Sequence, residues 1–181
     1  MLVGGRSSRM GRDKALLPFH GGSLAQWTAG LAAQAAGKAT LVGPPERYAD
    51  LGFCVIPDLF PGEGPLGGII TALRDSSSEW NLILACDMPE IGAPLLTRLM
   101  DLATQSGADV LLPLTAENRP EPLCAVYRQG CLPALETAFA GGVRKVTAAL
   151  EAVRTLRLPV EEVAQFQNVN TPEDWAGYAA R

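Results

Sequence analysis

Histidine is almost absent from this chain of 181 residues, and cysteines at zinc-binding spacing are missing. His20 is the single histidine, and none of the four cysteines belongs to a C-x-x-C pair. A zinc site is therefore not expected. Serine–histidine catalysis is poorly supported as well, because the sequence contains no G-x-S-x-G segment. We expect His20 to lie in a surface loop.

An excess of positive charge and long apolar runs are missing too. The net charge is −4, from 15 basic and 19 acidic residues, so the broad basic surface of a nucleic-acid-binding protein is not expected. No apolar run approaches the ~20 residues needed to cross a bilayer, and no signal peptide opens the sequence. These absences predict a cytoplasmic protein with reduced thiols and without nucleic-acid or membrane partners.

What the sequence does contain is enough apolar side chains for a sizeable core, since 48% of its residues are hydrophobic. Short apolar runs alternate with amphipathic stretches. The predicted strands are residues 1–3, 39–42, 53–56, 80–85, 110–114, 123–127 and 166–169. The predicted helices are residues 23–36, 66–73, 94–103, 132–140, 143–152 and 171–180.

This alternation predicts a single α/β domain over residues 1–181, Rossmann-like, with a mostly parallel, mixed sheet and helices on both faces. Ligands bind such sheets at the carboxyl ends of the strands. The first predicted strand has only three residues, which would be explained if the natural chain began several residues earlier.

A glycine-rich, basic loop follows this first strand, over Gly4–Lys14. Its charged residues are Arg6, Arg9, Arg12, Lys14 and Asp13, a net charge of +3 in an acidic protein. Glycines let the backbone N–H groups approach an anion, and arginine and lysine add phosphate-binding cations. The spacing is neither that of a Walker A motif nor G-x-G-x-x-G. The loop is predicted to hold a triphosphate; the alternative is a solvated basic loop.

Asp87 follows the most continuous apolar run, which predicts that its carboxylate lies at the ligand-binding edge of the sheet. Mg²⁺ prefers one or two carboxylates together with phosphate oxygens and water. Asp87 is therefore a candidate Mg²⁺ ligand. The alternative is an aspartate that only shapes the turn before Pro89.

Asp58 and the glycine-rich stretch Gly62–Gly68 form a further candidate, at the entry of a predicted helix. Glycines such as Gly67 would allow a base or a sugar to come close. The alternative is tight packing of the helix on the sheet.

Two segments of the C-terminal half could hold a second ligand. Asn168 and Asn170 are two residues apart, so on an extended segment their amides point the same way. Arg144 and Lys145 open a predicted helix and could meet a second phosphate. The alternatives are a turn before the Thr171 helix cap for the first segment and a solvated face for the second.

Several of these segments occur in the order found in one known family. They are Leu2-Val3-Gly4-Gly5-x3-Arg9-Met10-Gly11-x-Asp13-Lys14, Gly64-Pro65-Leu66-Gly67-Gly68, Cys86-Asp87-Met88-Pro89, Glu121-Pro122-Leu123 and Asn168-Val169-Asn170-Thr171-Pro172-Glu173. Together they span nearly the whole chain, and they resemble the nucleotidyltransferases that act on molybdopterin. Within that family the guanylyltransferases are the best match, because related cytidylyltransferases typically carry aspartates in place of Asn168 and Asn170.

The resemblance implies an Mg²⁺-dependent transfer of GMP from GTP to the terminal phosphate of molybdenum-bound molybdopterin, with release of pyrophosphate. It implies a nucleotide-binding N-terminal half and a molybdopterin-binding C-terminal half. The implied roles are catalysis by Arg9, Lys14 and Asp87, nucleotide binding by Leu2, Val3, Gly4, Gly5, Lys14, Asp58, Gly67 and Asp87, Mg²⁺ binding by Asp87, and molybdopterin binding by Asn168 and Asn170. Arg144 and Lys145 lie outside these motifs and are candidates for molybdopterin binding from their charge alone.

Contacts with other molybdenum-cofactor proteins would be transient. Two alternatives stay open: the same chemistry with CTP or a sugar phosphate, and a nucleotide-binding regulatory protein without turnover.

Overall fold

The computed structural model describes residues 1–3, 13–161 and 163–179 of the chain. Its strands are β1 (Pro18–Phe19), β2 (Gly22–Ser23), β3 (Thr40–Val42), β4 (Cys54–Ile56), β5 (Trp80–Leu84), β6 (Val110–Leu114), β7 (Cys124–Arg128) and β8 (Thr155–Pro159). Its α-helices are α1 (Leu24–Ala36), α2 (Pro45–Tyr48), α3 (Pro65–Asp75), α4 (Ala93–Gln105), α5 (Leu132–Ala140), α6 (Val146–Ala149) and α7 (Pro172–Ala179).

The N-terminal residues join two groups of strands into one mixed sheet. Leu2 forms parallel bridges to Val42 at the end of β3 and to Ala85 just after β5, and its N–H donates to the carbonyl of Leu84 at 2.9 Å. The order is therefore β4, β3, residues 1–3, β5, β7, β6, β8. Within the described residues, β7 pairs antiparallel with β5 and β6. The β3–β4 and β6–β8 pairs and the two bridges of Leu2 are parallel.

Alternate side chains of the central strands fill two separate cores. Along β5, Leu84 packs into the core covered by α1 and α4, and its neighbour Ile83 packs into the core covered by α3 and α5. Val126 and Tyr127 of β7 divide in the same way. Because both faces are covered by helices, these strands are apolar on both sides, which explains their unbroken apolar runs.

The carboxyl ends of the parallel strands open at one edge of this sheet. Val3, Val42 and Ile56 end three neighbouring segments there, and Asp87 follows β5 at the same edge. The antiparallel β7 begins at this edge, where the N–H of Ala85 donates to the carbonyl of Leu123 at 2.8 Å. This edge is where a ligand-binding cleft is expected.

One predicted helix is shorter than expected and one predicted strand is wrong. The predicted helix at residues 143–152 is the four-residue α6 followed by a 3-10 turn at Leu150–Ala152. It starts late because the backbone of Lys145 is extended, so the residues before Val146 do not belong to the helix. The predicted strand at residues 166–169 is the end of a 3-10 turn, Val163–Phe166, followed by an irregular segment. Phe166 and Val169 are buried, which accounts for the apolar pattern without a strand.

Four of the strands and α-helices were not predicted: β1 and β2, which pair as a hairpin, α2 and β8. The strand β8 pairs with β6 at the edge of the sheet and is largely exposed, so it lacks the apolar run that marks the central strands. Among the described residues, no helix combines the length and the apolar character that a membrane crossing requires.

Candidate active site

A cleft of about 480 Å³ opens at the carboxyl edge of the sheet. Its volume is in the range of small-molecule binding sites. The residues that line it are Leu2, Val3, Asp13, Lys14, Ala15, Val42, Asp58, Gly62, Gly64, Pro65, Gly68, Ala85, Cys86, Asp87 and Leu123. The cleft is thus formed by the ends of the central strands, the turn after the basic loop and the start of α3.

Lys14 and Asp87 form an ion pair in this cleft. Lys14 Nζ lies 3.6 Å from Asp87 Oδ2, and the two side chains are 16% and 22% exposed. Asp13 Oδ1 accepts a hydrogen bond from Ala15 N at 3.0 Å and so caps the 3-10 turn that carries Lys14. Asp87 is held at the end of β5 and its carbonyl accepts from Val169 N at 2.9 Å. A cation and a carboxylate are thereby fixed beside each other.

Asn170 joins this pair from the other end of the chain. Its Oδ1 accepts a hydrogen bond from Lys14 Nζ at 2.7 Å. The backbone N–H groups of Asn170 and Thr171 both donate to Asp174 Oδ2, at 2.8 and 2.9 Å, and Thr171 Oγ1 accepts from Asp174 N in return. This reciprocal cap of α7 holds Asn170 in place against Lys14.

The environment of Asp87 is electrostatically unusual. Burial raises its pKa above the ordinary aspartate value, and the nearby charge of Lys14 opposes that rise. Burial likewise raises the pKa of the neighbouring Cys86 thiol to about 12, with the charge of Asp87 adding to the effect, so Cys86 is a neutral thiol at neutral pH. A partly desolvated carboxylate beside a cation in a cleft is a common feature of catalytic sites.

Comparison with known proteins places the chain in a family. Residues 1–154 match the MobA-like NTP transferase domain. The chain belongs to the MobA-like NTP transferases. A probable molybdenum cofactor guanylyltransferase of Nostoc sp. is 39% identical, over 97% of this chain and 87% of the relative. Another protein of that description, from Deinococcus radiodurans, is 36% identical over 99% of this chain and 92% of its own.

A solved structure agrees. The crystal structure of molybdopterin-guanine dinucleotide biosynthesis protein A from Archaeoglobus fulgidus superposes with a TM-score of 0.82 at 30% identity, covering 97% of this chain and 93% of the other. The family resemblance read from the motifs is therefore confirmed. The predicted fold class, a mixed α/β sheet of Rossmann-like type with helices on both faces, is confirmed as well.

Only some of the residues predicted to bind the nucleotide line the cleft. Leu2, Val3 and Asp58 line the cleft. Asp58 Oδ1 also accepts hydrogen bonds from Phe60 N at 2.9 Å and Thr71 Oγ1 at 3.1 Å, so part of its role is to hold the entry of α3. The predicted contributions of Gly4, Gly5 and Arg9 lie outside the described residues.

Gly67 is buried inside α3, next to Phe60. A Cβ atom at Gly67 would lie 2.8 Å from the Cβ of Phe60, and Gly67 is not among the residues that line the cleft. The missing side chain of Gly67 therefore leaves room for Phe60, a residue of the segment between β4 and α3 and not of the sheet. Its neighbour Gly68 does line the cleft, and a Cβ there would lie 3.1 Å from the side chain of Leu2.

The residues predicted to bind molybdopterin are not among those that line the cleft. Arg144 Nε donates to Glu63 Oε2 at 2.7 Å, and its guanidinium lies 4.0 Å from the ring centroid of Phe139. Since Gly62 and Gly64 line the cleft, this pairing keeps Arg144 close to the rim. Lys145 is exposed just before α6, and Asn168 is exposed two residues before Asn170.

Asp13 and Glu121 are candidate residues that the sequence analysis missed. Asp13 counted there as the one negative charge of the loop and as a position of the family motif, but it was given no role, although an aspartate before a helical turn is a recognisable cap. Glu121 is 7% exposed, and burial raises its pKa, with a smaller contribution from the charge of Asp87. Its Oε1 lies 2.9 Å from Arg119 Nη2 as an ion pair, but without the alignment of a hydrogen bond. Only its position in the Glu-Pro-Leu motif could have signalled it.

Proposed function

We propose that this MobA-like protein transfers GMP from GTP to the terminal phosphate of molybdenum-bound molybdopterin. The observation that carries the proposal is the ion pair between Lys14 and Asp87 inside the cleft. Lys14 is the last residue of the glycine-rich segment whose spacing resembles a nucleotidyltransferase loop. The relatives described as molybdenum cofactor guanylyltransferases support the choice of substrates.

In the proposed reaction, an oxygen of the acceptor phosphate attacks the α-phosphorus of GTP. A new P–O–P linkage forms, the bond between the α-phosphorus and its bridging oxygen to the β-phosphate breaks, and pyrophosphate leaves with the electron pair. Because the acceptor is already an anion near neutral pH, no histidine base is needed. Such transfers depend mainly on alignment and on neutralising charge, which Lys14 can supply to the phosphates.

We further propose that the reaction requires Mg²⁺, held by Asp87. The donor chemistry fits: the carboxylate of Asp87 faces the cleft and is partly exposed. Asp13 also lines the cleft, but its two oxygens accept from Ala15 N and the hydroxyl of Tyr48. Within the described ranges, no group of three potential metal ligands occurs. Mg²⁺ is typically held by one or two carboxylates together with the phosphates of the substrate. When bound, the ion would offset the negative charge that develops on the leaving pyrophosphate.

The proposal of GTP over CTP comes from the family motif, in which related cytidylyltransferases typically carry aspartates in place of Asn168 and Asn170. Asn170 offers Lys14 a neutral oxygen at 2.7 Å, whereas an aspartate there would place a second carboxylate on the ammonium already paired with Asp87. That charge would draw Lys14 away from phosphate. The asparagine therefore leaves more of the charge of Lys14 available to the nucleotide, although the base itself must be read elsewhere.

Substrate choice is tested by measuring pyrophosphate release from GTP and from CTP with molybdenum-bound molybdopterin, with and without EDTA. We expect turnover with GTP that EDTA abolishes. A clear preference for CTP would refute the guanylyl assignment. Tight GTP binding without pyrophosphate from either nucleotide would favour a regulatory protein.

The role of Asp87 is tested by Asp87→Asn, which keeps the shape and removes the charge. We expect turnover to fall at least about 100-fold, because one preorganised electrostatic contact is typically worth that much, while the circular dichroism spectrum is unchanged. Asp101→Asn, at an exposed position on α4, is the matched control and should retain wild-type turnover. Wild-type turnover of Asp87→Asn would remove Asp87 from the metal site.

We also propose a cytoplasmic location and transient contacts with other molybdenum-cofactor proteins. All four cysteines are free thiols, and Cys54 is exposed, a state that a reducing compartment preserves. Fractionation of the native cell with thiol labelling would test the location. Recovery of the protein in an oxidising compartment, with Cys54 oxidised, would contradict it.

A further inference from the structure

A buried tyrosine links the two chain segments that border the basic loop. Tyr48, the last residue of α2, is 1% exposed. Its hydroxyl lies 2.8 Å from the carbonyl oxygen of Val3 and 2.7 Å from Asp13 Oδ2. Val3 and Asp13 are the residues on either side of positions 4–12, and both line the cleft. One side chain from a separate helix therefore connects the start and the end of this loop.

The contact with Asp13 continues to Lys14. One carboxylate oxygen of Asp13 accepts from Tyr48, and the other accepts from Ala15 N at 3.0 Å and caps the turn of Lys14. The side chain of Lys14 then reaches Asp87 and Asn170. The orientation of Lys14 thus depends on a carboxylate whose own orientation is set by Tyr48.

Core packing alone does not explain this tyrosine. Phenylalanine would fill the same space, and burying a hydroxyl is costly unless it is hydrogen-bonded. A hydroxyl carries one proton, so the two acceptors share it, and both belong to the cleft. Burial and the charge of Asp13 raise the pKa of Tyr48, so the hydroxyl remains a donor at neutral pH. Arg47 Nη1, 3.9 Å from Asp13 on an exposed side chain, is a weaker partner of the same carboxylate.

We propose that Tyr48 is a positioning residue of the nucleotide half of the cleft, which orients Asp13 and, through it, the phosphate-binding Lys14. The inference rests on the proposed function, because Lys14 is taken to bind the triphosphate. It assigns Tyr48 no contact with either substrate. Its loss should therefore weaken nucleotide binding without changing the affinity for the acceptor.

The test is Tyr48→Phe, which removes the hydroxyl and keeps the ring. We expect the dissociation constant and the KM for GTP to rise about three- to tenfold, the range of one net hydrogen bond, while the KM for molybdenum-bound molybdopterin stays unchanged. Thr28→Val is the matched control: Thr28 is fully buried on α1 and its hydroxyl donates to the carbonyl of Leu24 at 2.9 Å, and neither residue lines the cleft. It should leave the GTP constants unchanged, although both variants lose a buried hydroxyl.

A double variant distinguishes positioning from general destabilisation. In an Asp13→Ala background the carboxylate acceptor is gone and only the carbonyl of Val3 remains, so Tyr48→Phe should raise the GTP dissociation constant by a clearly smaller factor than in the wild-type background. An equal factor in both backgrounds, or no change in the wild-type background, would overturn the inference. A rise in both KM values by the same factor would also overturn it, because it would show a general loss of structure.

Binding measurements with different ligands distinguish a failure of this inference from a failure of the proposed function. Binding is measured with GTP, CTP and inorganic tripolyphosphate. If the wild-type protein binds CTP instead of GTP, the guanylyl assignment fails, and the effect of Tyr48→Phe on CTP binding decides the role of Tyr48. If it binds none of the three, both the proposed function and the inference are wrong.

Discussion

Replacing Lys14 by methionine keeps most of the length of the side chain and removes its ammonium group. If this group binds the triphosphate, the variant loses a charged hydrogen bond, which is worth ~1.5–3 kcal/mol. The dissociation constant for GTP should therefore rise roughly 10- to 150-fold. Lys38→Met, at an exposed position between α1 and β3, is the matched control and should bind GTP as the wild type does.

The same substitution should change the stability of the free protein. The 3.6 Å separation between Lys14 Nζ and Asp87 Oδ2 corresponds to about 4–5 kcal/mol of attraction at an effective dielectric constant of ~20. Relief of the desolvation of the ammonium offsets part of it, so we expect a net loss of roughly 1–3 kcal/mol. Most of this loss reflects the uncompensated carboxylate of Asp87.

Adding Asp87→Asn to Lys14→Met should therefore restore much of the stability but none of the GTP affinity. Isothermal titration calorimetry measures the affinity, and urea unfolding without ligand measures the stability. Unchanged GTP affinity in Lys14→Met would refute phosphate binding by Lys14. A double variant no more stable than Lys14→Met would show that the ion pair does not account for the lost stability.

Three further substitutions test packing and charge. Gly67→Ala should destabilise by up to ~2 kcal/mol in urea unfolding, because a strained contact with Phe60 at 2.8 Å outweighs the ~1 kcal/mol gain in helix propensity; Gly30→Ala, exposed on α1 with open space around its Cβ, should stabilise by ~0.5–1 kcal/mol. Asp109→Asn should lower the Tm at neutral pH, because the Arg154 guanidinium holds the pKa of Asp109 below its ordinary value of 3.8. The ion pair therefore stabilises the fold at pH values above the unfolded-state pKa of Asp109. This stabilisation is lost as the pH falls through the lower folded-state pKa.

Each of these outcomes has a clear contrary result. If Gly67→Ala were as stabilising as Gly30→Ala, the packing role of Gly67 would be wrong. If the difference in Tm between Asp109→Asn and the wild type stayed constant from neutral pH into strong acid, the ion pair with Arg154 would not stabilise the fold.

Much of the fold could be predicted because its signals are local. The apolar runs that became β5 and β6 are covered on both faces, and the residues at 132–140 form the predicted helix α5. The cap residue Ser23 and the left-handed Gly37 bound α1. Such features depend on neighbours within a few positions, so the sequence displays them directly.

The edge strand β8 and the segment 166–169 show where local patterns fail. An edge strand pairs on one side only and is half exposed, so its composition does not distinguish it from a loop. Phe166 and Val169 are buried by packing against residues that are distant in the sequence. Two buried residues without a repeating period do not show whether a segment is a strand.

The sequence by itself determined the family, the α/β fold class and the strand ends that Asp87 and the basic loop follow. Only the tertiary structure decided which residues meet. Lys14 contacts Asn170 across 156 positions of sequence, and Tyr48 reaches Asp13 across 35. Likewise, Gly67 packs on Phe60 while its neighbour Gly68 lines the cleft. The physical reason is that period and composition encode which face of an element is buried, whereas a hydrogen bond within 3 Å depends on how separate elements pack.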